Sequence, residues 1–241
     1  AAQPATPVTD ETAGAGMLYS SGTTGRPKGI LSAMPADPAI DHATPLAMLA
    51  HGFFGLGPDS VYLSTAPLYH AAPLSWTMTE ASLRFIEQYK CNAGQFVPTH
   101  FVRMLKLPEE VRARYDVSSL KCAIHAAAPC PVPVKRAMID WWGPVIDEYY
   151  AGTEANGFTA IKAAQWLERP GSVGTSIGEA KLHICDEDDV SVGPDVEGTV
   201  YFEGPRPFEY HNDPERTAAS RNRHGWTTLG DVGRVDASFA Q

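Results

Sequence analysis

Between Thr77 and Lys90 the apolar residues Leu83, Ile86 and Tyr89 recur three apart. That spacing predicts a helix with one buried face, opened by the candidate capping box Thr77-x-x-Glu80. Elsewhere the apolar stretches are short and run into small or turn-forming residues. VYLSTAPLYH (Val61–His70), GQFVPT, LKCAIHAAAPCP and PVIDEYYAGTEANG each predict a strand that ends in a loop. Between them, Pro45–Leu56 reads as a buried helix, and THFVRML and PEEVRARY read as two short ones, the second with Pro108 at its first position. PVKRAMIDWW adds a further helix. Alternating strands and helices predict an α/β fold over residues 1–171, a mostly parallel sheet flanked by helices. From 172 to 241 the texture changes. AKLHICDED, VSVGPDVEG, TVYFEGP and GWTTLGDVGRVD predict strands joined by acidic and glycine turns, a β-rich subdomain. The chain's start, to about Asp10, reads as extended, and MLYSS (Met17–Ser21) as a short strand.

Composition narrows the function. With 241 residues the chain can bury one large core or two modest ones. Its formal net charge of −9 and pI near 5.3 oppose nucleic-acid binding through the overall field. Any phosphate chemistry must therefore be local. The longest apolar stretch, Pro45–Gly57, is too short for a bilayer and is interrupted by His51, so no transmembrane segment is expected. The first residues show no basic start followed by an apolar run, so no signal peptide is expected. Cys91, Cys122, Cys130 and Cys185 have neither CxxC nor metal-finger spacing. They read as reduced, packed thiols, and a cytoplasmic location is expected.

Such a local site is offered by YSSGTTGRPKG, Tyr19–Gly29. Glycine lets a backbone approach a phosphate closely, and successive N–H groups form an anion nest. Ser20, Ser21, Thr23 and Thr24 add hydroxyls, Gly22 and Gly25 add freedom, and Lys28 adds a positive charge. The set suits a polyphosphate. It is not a Walker loop, because Gly25 is followed by Arg26-Pro27-Lys28-Gly29, with no hydroxyl after the lysine.

The run resembles the phosphate-loop signature of the adenylate-forming superfamily: acyl-CoA synthetases, adenylation domains of peptide synthetases, and luciferases. Four further segments agree in order. Ala66-Pro67-Leu68-Tyr69-His70 resembles the family's Pro-Leu-x-His segment, and Ala126-Ala127-Ala128-Pro129 its small-residue turn under the adenine. Tyr150-Ala151-Gly152-Thr153-Glu154 resembles Tyr-Gly-x-Thr-Glu, and Gly225–Asp231 resembles Gly-Trp-x-x-Thr-Gly-Asp. TAPLYHAAPL, VPTHFVRMLKLP and HAAAPCP look most like bacterial fatty-acyl-CoA synthetases.

The resemblance implies an ATP-dependent acid–thiol ligase that makes an acyl-adenylate and then an acyl-CoA, with a fatty acid as the expected acid. ATP, Mg²⁺ and coenzyme A are the implied cofactors. Lys28, Thr153, Glu154 and His70 take the catalytic roles, His70 near the substrate carboxylate. Ser20, Ser21, Gly22, Thr23, Thr24 and Gly25 contact the phosphates. Ala127, Ala128 and Tyr150 contact adenine, and Asp231 the ribose. Glu154, Ser21 and Thr23 are the candidate metal ligands. Adenylation for transfer to a carrier protein, and a non-catalytic ATP- or lipid-binding fragment, stay open as alternatives, as does a homodimer. Ala126, Ala127 and Ala151 stand where the family has glycine, Leu229 replaces a threonine, and the chain is short between Trp76 and Leu83. The family's hinge and its C-terminal lid, with the adenylation lysine, are read as absent from residues 1–241. Residues 1–241 alone are therefore expected to adenylate weakly.

Overall fold

The structure, a computed structural model, describes residues 17–20, 28–32, 45–65, 78–204 and 208–237. In chain order the elements are β1 (Met17–Ser20), β2 (Lys28–Ser32), α1 (Pro45–Gly52), β3 (Tyr62–Ser64), α2 (Met78–Tyr89), β4 (Ala93–Phe96), α3 (Pro98–Leu105) and α4 (Glu109–Arg112). There follow β5 (Cys122–His125), α5 (Val132–Trp142), β6 (Ile146–Tyr150), β7 (Thr159–Ile161), α6 (Ala163–Glu168) and β8 (Thr175–Ser176). The last are β9 (Lys181–Cys185), β10 (Gly198–Glu203), β11 (Phe208–Tyr210), α7 (Pro214–Ala219) and β12 (Val232–Gly233). They group into two compact units, one comprising 1–47, 153–156 and 179–241, the other 48–152 and 157–178.

The second unit carries the expected mainly parallel sheet. Its order is β3-β4-β5-β6-β7-β8, parallel from β3 to β6 and antiparallel for the last two strands. One face is covered by Leu83 and Ile86 of α2, Phe101 and Met104 of α3, Met138, Ile139 and Trp142 of α5, and Trp166 of α6. Full burial of each such aliphatic side chain stabilises by about 1.5–3 kcal/mol. Leu49 and Phe54, from α1 and the turn after it, pack on Cys122 and Ile124 at the other face.

Two antiparallel sheets build the first unit, β1-β2-β11 and β12-β10-β9. Ile30, Phe208 and Tyr210 form the apolar contact of the former. In α7 the Asp213 side chain accepts from the Arg216 backbone N–H at 3.0 Å, capping the helix start.

Several local expectations shift. Tyr89 is 59% exposed although Leu83 and Ile86 are fully buried. Three-residue steps fall short of a helical turn, so each step rotates the position and Tyr89 leaves the apolar face. Pro108 caps α4 rather than opening it. The VSVGPDVEG segment forms no strand before Gly198, where β10 begins; it follows β9 through the Cys185–Ser191 bridge and the Val192 N–H, which donates to the Ile184 carbonyl at 2.8 Å. Thr77 lies outside the described residues. Among the described residues no helix is long and apolar enough to cross a membrane.

Candidate functional site

In the first unit, β1 and β2 pair antiparallel with Ser20 opposite Lys28 and Tyr19 opposite Gly29, so the ends of the glycine loop face each other. Ser21, Gly22, Thr23, Thr24, Gly25 and His70 lie outside the described residues. On its other edge β2 pairs with β11, placing Tyr210 opposite Ile30. The Lys28 ammonium lies 5.7 Å from the Tyr210 ring centroid, and the Arg216 guanidinium 5.2 Å from the same ring. The Tyr210 hydroxyl donates to Oε1 of Glu154 at 2.8 Å. Burial and the neighbouring carboxylate hold this phenol far above its ordinary pKa, so it remains a donor at neutral pH. Lys28 and Glu154, far apart in sequence, therefore meet at one tyrosine. Nothing local in GPRPFEYHNDPE marks Tyr210; only the pairing of β11 with β2 brings it there.

Asn156 extends this arrangement. Its buried Nδ2 donates to the Thr227 carbonyl at 3.3 Å and to Thr227 Oγ1 at 3.2 Å, tying the Thr153–Asn156 segment to the turn that carries Asp231. Asp231 is fixed through its backbone carbonyl, which accepts from Val200 N–H at 2.9 Å, and the residue is exposed. Beside it the Thr228 hydroxyl donates to the Val200 carbonyl at 2.7 Å. Thr153 is exposed and Glu154 half-buried. A carboxylate oriented by a phenol suits a hard divalent cation. No group of three or more His, Cys, Asp or Glu able to hold a metal occurs among the described residues.

In the second unit, the Ala126–Ala128 turn leaves the end of β5, and Tyr150 ends β6, its parallel neighbour. Loops at the carboxyl ends of parallel strands are where open α/β sheets hold ligands. Ala126 is buried, Ala127 and Ala128 are exposed, and Tyr150 is half-buried. Ala127 has φ +73°, the left-handed region that glycine adopts without penalty. Glycine at this place would carry no such penalty. Tyr149 packs against Phe54 with 6.3 Å between ring centroids, and its hydroxyl accepts from Gln95 Nε2 at 3.2 Å. Trp142 is a packing residue, in edge contact with Phe96 and Phe101.

Both acids of β6 are buried. On one face Asp147 accepts from the Ala163 N–H at 3.0 Å and from the Lys162 ammonium at 2.8 Å, anchoring the start of α6. On the other, Glu148 Oε2 lies 2.6 Å from the fully buried Lys135 ammonium and 3.3 Å from His125 Nε2. Burial pushes the Glu148 carboxyl up, but His125 and Lys135 outweigh it and hold it below the ordinary range. Burial lowers both His125 and Lys135, with Glu148 opposing. Burial and Glu148 push the nearby Cys130 thiol up to about 11, so it stays protonated. Two acids inside an otherwise apolar strand, IDEYY, were the available signal for these contacts.

A family model described as AMP-binding enzyme matches residues 1–209. The chain is 29% identical to 4-coumarate–CoA ligase of Pinus taeda, over 90% of this chain and 44% of the relative. It is 27% identical to 2-succinylbenzoate–CoA ligase of Bacillus cereus, over 91% of this chain and 47% of the relative. The chain thus spans a little under half the length of these relatives. Among solved structures, amide bond synthetase McbA from Marinactinospora thermotolerans superposes with a TM-score of 0.75 at 22% identity, over 91% of this chain and 46% of that one. ATP-bound MatB from Rhodopseudomonas palustris gives 0.73 at 23%, over 92% and 46%. At these identities the structures establish a shared fold.

Proposed function

Because the chain belongs to the AMP-binding enzyme family, within the adenylate-forming superfamily, we propose that its protein is an acid–thiol ligase. A carboxylate oxygen of the acid attacks the α-phosphorus of ATP, and the bond to the β-phosphate oxygen breaks. The products are an acyl-adenylate and pyrophosphate. The thiol of coenzyme A then attacks the acyl carbon and AMP leaves. The observation that carries the reading is the meeting of Lys28 and Glu154 at Tyr210, with Asn156 tying the same segment to the Asp231 turn.

The first step brings two anions together, so the protein's task is neutralisation and alignment. Lys28 and the hairpin loop hold the β- and γ-phosphates, and Thr153 the α-phosphate. Asp231 accepts hydrogen bonds from the ribose hydroxyls, Ala127, Ala128 and Tyr150 take adenine, and His70 serves the acid. Glu154, oriented by Tyr210, with Ser21 and Thr23, would hold Mg²⁺, which supplies charge neutralisation at the phosphate oxygens.

The acid expected from the sequence is a fatty acid, whereas the relatives named above carry aromatic acids in their names. Exchange of labelled pyrophosphate into ATP by the intact protein, run over fatty and aryl acids, tests the ligase reading and identifies the acid. Exchange is expected only with a matching acid, and Lys28→Ala should lower it by about 100-fold. Acid-independent exchange, or none across the panel, overturns the reading. Coenzyme A compared with a carrier protein as acceptor separates the two thiol classes.

A further inference from the structure

The adenine turn begins and ends on the same carboxylate. His125 closes β5 immediately before Ala126, and in the sheet it sits in register opposite Glu148. Residues 126–131 then form the turn, and α5 starts at Val132. Lys135, in the first turn of α5, reaches back to Glu148 Oε2 at 2.6 Å, the same oxygen that lies 3.3 Å from His125 Nε2. Glu148 stands two residues before Tyr150 on β6.

All three groups are removed from water, with side-chain exposures of 0% for His125 and Lys135 and 9% for Glu148. The Lys135 ammonium is further enclosed by Trp166, 4.9 Å from its ring centroid, and His125 by Phe101, 5.5 Å between ring centroids. A buried ion pair is a poor source of net stability, because desolvation offsets most of its attraction. The Lys135–Glu148 hydrogen bond does fix geometry, since a buried charge has few alternative partners, whereas His125 Nε2 stands near the same oxygen without hydrogen-bond geometry and is held opposite it by the β5–β6 register. Here that geometry is the separation between the two ends of the Ala126–Pro131 excursion, and the placement of both relative to the strand that carries Tyr150.

We propose that Glu148 is a positioning residue for the nucleotide base: its Oε2 holds Lys135 at the far end of the adenine turn while standing beside His125 at the near end, and so sets Ala126–Ala128 against Tyr150. The inference rests on the reading that these residues take adenine. It adds that the purine platform is held from beneath by charge rather than by apolar packing alone.

The intact protein and its variants Glu148→Leu and Lys135→Met/Glu148→Leu supply the test. The double variant replaces both charges with apolar groups and is the one chosen to remain folded. Near-ultraviolet circular dichroism establishes folding. Calorimetry then measures AMP and GMP binding, and pyrophosphate exchange gives the KM for ATP and for the acid. The folded double variant is expected to bind AMP about tenfold more weakly, lose much of its preference for AMP over GMP, and keep its KM for the acid. A folded double variant with wild-type AMP affinity and wild-type base preference overturns the clasp and leaves a structural ion pair. A wild-type protein that binds no adenine nucleotide instead overturns the ligase reading on which the clasp rests.

Discussion

Tyr210 on β11 donates its hydroxyl to Glu154 Oε1 across 2.8 Å, joining residues 56 positions apart. The contact gives the acid a fixed direction while the same ring lies under the Lys28 ammonium. Tyr210→Phe keeps the ring and removes only the donor. We expect the concentration of divalent cation needed for half-maximal pyrophosphate exchange to rise about tenfold, with the KM for the acid unchanged. Manganese titration followed by electron paramagnetic resonance, in the presence of nucleotide, gives the same shift without relying on turnover. An unchanged cation requirement would show that Glu154 is oriented by other contacts.

Ala127 holds φ +73° with a Cβ that disfavours it. Ala127→Gly removes that strain, worth about 1–2 kcal/mol, against a backbone-entropy penalty of about 0.5–1 kcal/mol. A net gain of roughly 0.5–1 kcal/mol is expected from urea unfolding. Ala128→Gly, at a residue without a positive φ, should be destabilising by about 0.5–1 kcal/mol.

Removing one partner of the buried pair strands the other. Glu148→Leu should lower unfolding free energy by about 3–5 kcal/mol, and adding Lys135→Met should restore most of it. A double-mutant cycle by chemical denaturation measures the coupling. Additive losses would mean that the 2.6 Å contact carries no interaction energy.

The same cluster sets a pH dependence. His125 is held below its ordinary 6.5, so the folded protein withholds a proton that the unfolded chain takes up. Its contribution is complete above pH 6.5 and is lost as pH falls through the lower folded value. Glu148, held below its ordinary 4.5, contributes fully above pH 4.5 and loses that contribution further into acid. Urea midpoints measured from pH 8 to 3.5 should therefore decline from about pH 6.5 downward. His125→Asn should shrink the first part of the decline, leaving the share of His100, which burial also holds below its ordinary 6.5, and should leave the second part unchanged. Parallel curves for the two proteins would place the titrating groups elsewhere.

Much of this was visible in the chain itself, for reasons that differ by segment. Strands β5 and β6 run directly into small residues, Ala126–Ala128 and Ala151-Gly152, a local pattern that needs no knowledge of partners. Ala126–Ala128, Tyr150, Thr153, Glu154 and Asp231 were named because their surrounding residues form ordered motifs. Tyr210, Asn156 and Lys135 escaped notice because each acts through a residue remote in sequence. Strand order is the missing link. That β11 lies beside β2 follows from three-dimensional pairing, which hydrophobic periodicity does not encode. Glu148 shows a different blind spot: an acid in an apolar strand reads as an irregularity until a lysine from the preceding helix, α5, is seen to meet it.

The β1–β2 ladder has a consequence for how this region tolerates change. Seven residues, 21–27, bridge positions that already oppose each other in register. The rungs on either side hold the register. A one-residue slip within β2 would turn Lys28 and Ile30 to the opposite side together, detaching both from Tyr210. The two rungs at the base of the loop, Ser20–Lys28 and Tyr19–Gly29, are therefore one unit: neither can shift without the other.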